Sequence, residues 1–159
     1  MSIQNETERL LAAMCGDDHA DVLASTRELW RAVRRAGRPG GRSDRSQVVA
    51  ELDLALARDL PSTVCREVLW MLSEIGGDES VGPVTELLRH QELRDDARMA
   101  LERIPGQKSL AALEAGLAAA PEDFKTNVAQ SLRRRGVTVP GLPCQKLVPT
   151  RETSVKPIE

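Results

Sequence analysis

One spacing recurs four times along this chain and limits what it can fold into more than any other feature. Val64, Val68, Met71, Leu72 and Ile75 stand at steps of +4, +7, +8 and +11, and Gly76 follows. Leu93, Ala97, Ala100, Leu101 and Ile104 repeat the pattern ahead of Pro105 and Gly106. Ser25, Leu29, Ala32, Val33 and Ala36 give it again before Gly37. Phe124, Val128, Ser131, Leu132 and Arg135 give a polar-ended copy before Gly136. Residues at these steps share one face of an α-helix, so each copy is one stripe on one helix. The copies start at residues 25, 64, 93 and 124. Recurrence at roughly 30–40 residues is the period of stacked helical hairpins.

A second, shorter stripe completes the hairpins. Val81, Val84, Leu87 and Leu88 follow the second copy, and Leu110, Leu113 and Leu117 follow the third. Residues 64–88 and 93–117 align without a gap, with Ser80 and Ser109 at equivalent places early in the second helix. Val48, Val49, Leu52 and Leu56 partner the first copy after a longer turn, Arg38 to Asp44. Leu10, Ala13 and Met14 read as the second helix of a partial leading unit. The expected fold is therefore all-α: a right-handed superhelical α-solenoid of about eight helices, with one leading helix, three pairs and a closing helix. The expected division is a repeat domain over 1–136 and an extended, Pro-containing C-terminal tail over 137–159. Leu142, Leu147 and Val148 are the tail residues able to cover the last apolar face.

Local signals place the helix ends. Asp17 or Asp18 suits the cap of the first full helix, and Ser43 or Asp44 that of its partner. Pro61 and Pro121 suit first helical positions, where a missing N–H does no harm. Glycines just past the first helices suit left-handed closing residues.

Composition narrows the class further. Net charge is -2, so whole-molecule attraction to nucleic acid is not expected. There is one Phe and no Tyr, which leaves few rings for base stacking. Cys15, Cys65 and Cys144 form no CxxC pair, so neither a disulfide framework nor a metal site is expected. The first residues lack a basic region followed by an apolar run, and no apolar stretch approaches a membrane span. The expectation is a cytoplasmic protein without membrane contact or cofactor.

The middle units resemble HEAT repeats of the short type also found in bilin-lyase-like proteins. The resemblance lies in Val64, Arg66, Leu72, Ile75, Gly76, Asp78, Val81 and Leu88. It continues in Leu93, Arg94, Ala97, Ala100, Leu101, Ile104, Gly106 and Leu110. Gln107 stands where the family prefers Asp, and Asp95 where Arg66 stands one unit earlier. The likeness covers 64–117 well, 25–57 and 124–136 less closely, and the tail not at all. It implies an architecture and a protein-binding scaffold or adaptor without chemistry of its own.

Candidate functional residues lie where the pattern breaks. Arg31, Arg34, Arg35, Arg38, Arg42 and Arg45 cluster around the long turn, with Asp44 the acid among them. Guanidinium forks in such a cluster suit an acidic or phosphorylated ligand. The competing reading is a solvated helix end whose cations complement the helix dipole. The same dipole reading fits Arg133, Arg134 and Arg135. Trp70 falls off the stripe, aligned with Arg31 and Met99, and can anchor a partner or pack on the next repeat. Cys65 reads as a small buried residue. His19 and His90 are far apart, and no nucleophile–base–acid grouping is present, so no catalytic residue is expected. The expected partner is another protein, bound through Arg34, Arg35, Arg38, Arg42, Arg45 and Trp70. The alternatives are a bilin-lyase-like enzyme accessory and an anion or phosphate-backbone binder working through the arginine-rich turn.

Overall fold

The apolar stripes are buried almost position for position. The structure is a computed structural model that describes residues 3–142 and 144. The described residues form eight α-helices and no strand. They are α1 (Ile3–Met14), α2 (His19–Ala36), α3 (Arg42–Leu56), α4 (Ser62–Ile75) and α5 (Val81–Glu86), followed by α6 (Arg94–Arg103), α7 (Gln107–Ala119) and α8 (Glu122–Arg134). A 3-10 turn, Leu87–Arg89, extends α5. All five stripe residues of α4 and its C-terminal edge are buried, as are Leu93, Ala97, Ala100, Leu101 and Ile104 at α6. On α2 only Ala32 is half-exposed, and on the last copy only Arg135 escapes burial.

Helix contacts follow a regular order. The even-numbered helices lie side by side, α2 on α4, α4 on α6 and α6 on α8. The odd-numbered helices do the same, α1 on α3, α3 on α5 and α5 on α7. The two rows pack on each other through one continuous apolar core. A full leucine or valine side chain taken out of water contributes about 1.5–3 kcal/mol, so each stripe is a large fraction of the stability. The second helices contribute less. Leu87, Leu88, Leu110 and Leu117 remain half-buried, because the odd row covers the core from one side only.

Several helix ends differ from their sequence signals. Asp18 does cap α2, accepting a bond from the Asp21 N–H at 2.9 Å. α3 instead starts at Arg42 with Gly41 in the cap position and no side-chain cap, so neither Ser43 nor Asp44 serves. The long turn uses Gly40 at φ +85°, a conformation that favours glycine, and hands the chain to α3 one residue early. Pro61 and Pro121 occupy the cap positions, one residue before the first helical residue. Their carbonyls accept the first helical bonds, from Val64 and Phe124. Gly76 is extended, not left-handed. Its glycine requirement is steric: a Cβ there would lie 2.5 Å from the Leu72 carbonyl oxygen.

Arg135 overturns the simple dipole reading of the last basic run. It stands where Ile104 and Ile75 stand in the preceding units, and while its backbone closes α8, its side chain caps α6. Its Nη1 donates to the carbonyls of Leu101 at 3.1 Å and Ile104 at 2.9 Å, and to Ser109 Oγ at 3.0 Å. Its Nη2 donates to the Gly106 carbonyl at 2.8 Å. Ser109 Oγ in turn donates to the Ile104 carbonyl at 2.7 Å. The last carbonyls of a helix lack intrahelical partners, and one guanidinium supplies several. Arg133 acts differently again, donating to the Val139 and Leu142 carbonyls. Residues 137–142 therefore turn back onto the end of α8, with Val137 and Val139 half-buried against the core. Leu142 is half-exposed; Leu147 and Val148 fall outside the described residues.

Two stability predictions follow from this end of the chain. Arg135→Ile restores the apolar pattern but removes the guanidinium donors from the Leu101, Ile104 and Gly106 carbonyls, of which Ser109 still serves the last two, and should destabilise by about 1–3 kcal/mol in urea unfolding. Deleting 137–159 should cost about 1–3 kcal/mol by thermal melting, from the lost half-buried valines and the unpaired Arg133.

Candidate partner-binding surface

The outer face of the even row is the surface left after the stripes are buried. On α2 that face is arginine from Arg27 onward, after Ala20, Leu23 and Ala24. Arg27, Arg31, Arg34 and Arg35 are exposed, and Arg38 continues the line into the turn. These residues stand at +4, +7, +8 and +11, the core spacing displaced by two residues, which at 100° per residue is the opposite side of the helix. The guanidinium of Arg34 lies 5.4 Å from the centre of the Trp30 ring. Trp30 is half-buried, and its Nε1 donates to Glu67 Oε2 of α4 at 2.8 Å.

The arginines expected to act together separate into two groups. Arg34 and Arg35 are on α2 and Arg38 is in the turn; Arg42 and Arg45 are on α3. Arg45 turns away from the others to meet Glu79 Oε1 at 3.0 Å, tying α3 to the turn before α5. This contact holds Arg45 apart from the other arginines of the expected site. Arg38 reaches Asp44 Oδ2 only at 4.0 Å, with both side chains largely in water. Arg35 borders a small cleft shared with Glu6 and Asp44. Arg42 is exposed at the first residue of α3, where a cation opposes the helix dipole, so the dipole does not account for it.

Trp70 sits on the same outer face one helix along and is 41% exposed. Its Nε1 donates to Asp96 Oδ1 at 2.9 Å, and Arg66 Nε donates to the other carboxylate oxygen at 3.1 Å. The ring is thus both pinned to α6 and open to solvent. Glu67 and Asp96 hold equivalent positions, so the bonds from Trp30 and Trp70 form successive rungs of one ladder. Arg94 to Asp123 at 2.5 Å and Asn127 to Asp95 at 2.9 Å continue it to α8. Arg94 also lies 4.7 Å from the centre of the Phe124 ring, and its bond holds the Asp123 carboxyl below the usual range.

Groups able to do chemistry are dispersed. His19 and His90 are both exposed and apart, the first opening α2 and the second closing the 3-10 turn after α5. Cys65 is buried, its Sγ is 3.7 Å from the Leu60 carbonyl, and burial pushes the thiol up, away from the reactive thiolate. Among the described residues no group of three His, Cys, Asp or Glu side chains is placed to hold a metal ion. No helix among them is long and apolar enough to cross a membrane. A groove of about 440 Å³ runs beside Leu88, Arg94, Gly116 and Phe124. Of its two cations, Arg89 and Arg94, the second is already held by Asp123 and Phe124.

One titratable group is strongly perturbed. Asp53 of α3 accepts from Ser80 Oγ at 3.1 Å, while its Oδ1 is buried without a partner. Burial raises its carboxyl from 3.8 to about 6; the Ser80 bond opposes this, Glu79 adds to it and Arg45 subtracts.

Comparison with known proteins finds no family model, no curated protein and no solved structure that matches this chain. Function has to be reasoned from the surface itself. Arg27 escaped a sequence reading centred on the turn, although its signal was present as the first member of the displaced spacing. Glu67 and Asp96 carried no such signal, since their role depends on which helix lies alongside.

The perturbed carboxyl makes a pH prediction. Its folded pKa lies above its unfolded value, so the folded state binds the extra proton and stability falls as pH rises from about 4 to 6. Asp53→Asn keeps an acceptor for Ser80 and removes that penalty. It should stabilise the protein at pH 7.5 relative to pH 4.5 by about 1 kcal/mol, after discounting for the solvent-screened part of the shift, in paired urea titrations.

Proposed function

We propose that this protein is a non-catalytic protein-binding scaffold of HEAT-repeat type, a right-handed α-solenoid working in the cytoplasm. The observation that carries the proposal is the outer face of α2 and α4. It presents unneutralised guanidinium groups beside an exposed, rigidly held indole. Arginine and tryptophan are the side chains most enriched among residues that dominate binding energy at interfaces. A ring already fixed by its N–H loses little freedom when a partner covers it, which favours affinity. Stacked helical hairpins suit this role, because they build a long surface from units that each contact only their neighbours.

A photo-crosslinking residue placed at Arg31 or Trp70 should capture one defined protein in the native cell, displaced by excess unlabelled protein. The same residue at Ala111 or Ala118, exposed on α7, should not. Trp70→Ala should weaken the captured complex by about tenfold or more. Equal capture from α7, or no capture from any position, would reject the scaffold reading.

A further inference from the structure

We propose that the outer face of α2 docks an acidic α-helix of a partner protein, whose carboxylates meet Arg27, Arg31 and Arg34 in register and extend towards Arg38 in the turn. The inference rests on the scaffold reading and names the partner's chemistry.

The first support is what these arginines lack. Among the described residues, Arg27, Arg31, Arg34 and Arg35 have no carboxylate within 4.0 Å, and Arg38 has Asp44 only at that limit. By contrast, Arg66, Arg94, Arg98 and Arg134 on the other even helices each meet a carboxylate at 3.2 Å or less. The second support is local repulsion. Arg27 and Arg31, Arg31 and Arg35, and Arg34 and Arg38 are like charges four residues apart, and such pairs weaken the helix that carries them. The helix dipole offsets this only in the last turn, so it leaves Arg27 and Arg31 unaccounted for. A ligand with matching negative groups removes the repulsion.

The spacing selects a helix. Along the axis of α2, Arg27, Arg31 and Arg34 stand about 6 and 4.5 Å apart, and Arg38 follows in the turn. Acids at i, i+4 and i+7 of a second helix repeat those intervals and one at i+11 extends towards the turn, whereas one face of an extended strand repeats at nearly 7 Å. The guanidinium fork binds a carboxylate through two parallel N–H donors, which rewards this match.

The width of the face argues against a nucleic acid. The cationic strip is one helix wide. Beyond it on the same face lie Glu74 of α4 and Asp95 of α6, both exposed. On the other side Glu28 is exposed beside Arg9 of α1. A duplex laid across α2 would bring phosphates over these acids, losing the neutralisation on which such binding depends.

The test uses the full chain and a fluorescent Ala-based peptide of about 20 residues, long enough to be helical. Its four Glu are set at i, i+4, i+7 and i+11. An isomer has the four Glu distributed around the helix, and an oligothymidine serves as the phosphate-backbone probe. Anisotropy titrations should show the striped peptide binding about tenfold tighter than its isomer and weakening as salt rises from about 0.05 to 0.3 M. The triple variant Arg27→Gln, Arg31→Gln, Arg34→Gln should lose about tenfold. Arg103→Gln, exposed on α6, should not change binding, and melting curves should show each variant folded. Equal affinity for both peptides, no loss in the triple variant, or tighter binding of the oligonucleotide would overturn the proposal. If crosslinking at Trp70 still captures a partner that the triple variant binds unchanged, the scaffold reading survives and the acidic-helix reading fails.

Discussion

Each even-numbered helix has to bury one stripe between two rows of neighbours, and most of the structure depends on that requirement. The stripe must be wide enough to touch the odd row and the adjoining even helix, which is what five positions within twelve residues provide. Once that face is inside, the opposite face is committed to water. The residues between the two faces then meet the next helix. There Trp30 meets Glu67, Arg66 and Trp70 share Asp96, and Arg98 reaches Ser131 at 2.6 Å. Such bonds add little stability when exposed. Their larger effect is to favour one lateral register between helices that smooth apolar packing would let slide.

The number, order and buried faces of the helices were readable because the hydrophobic period is a physical requirement of burial. Val68, Leu101 and Val128 had to be inside whatever lay against them. Helix ends were harder. Asp18 was identifiable from its chemistry, but the start of α3 depends on how a glycine turn delivers the chain, and that is decided by backbone angles. Gly76 shows the same difficulty: its position was legible, and its reason was the closeness of Leu72. Contacts between units were the least legible. Arg45 looked like one more cation of the turn because Glu79 is distant in sequence. Arg135 looked like a defect in the pattern because its partners are mostly backbone carbonyls, which no side-chain pattern records.

The polar groups inside the array divide by how well they are satisfied. Ser109 both donates and accepts, and so sits comfortably at full burial. Its equivalent, Ser80, donates to Asp53, which retains one buried oxygen without a partner. The same position in two units thus serves a neutral bond in one and an uncomfortable carboxyl in the other. The difference arises from the neighbours: α3 of the odd row brings an aspartate towards Ser80, while Arg135, at the end of α8 in the even row, reaches Ser109.

The way Arg135 grips the preceding unit bears on how such an array can grow or shrink. Most of its contacts are main-chain carbonyls at the end of a first helix, and its one side-chain partner is a serine that both middle units possess. The closing helix therefore recognises, through this residue, what is common to the units and nothing peculiar to one. The bonds of Arg94 to Asp123 and of Asn127 to Asp95, by contrast, use side chains found only in the unit over 93–117. One grip of α8 would therefore survive a change of the helix beneath it, while its side-chain bonds would not.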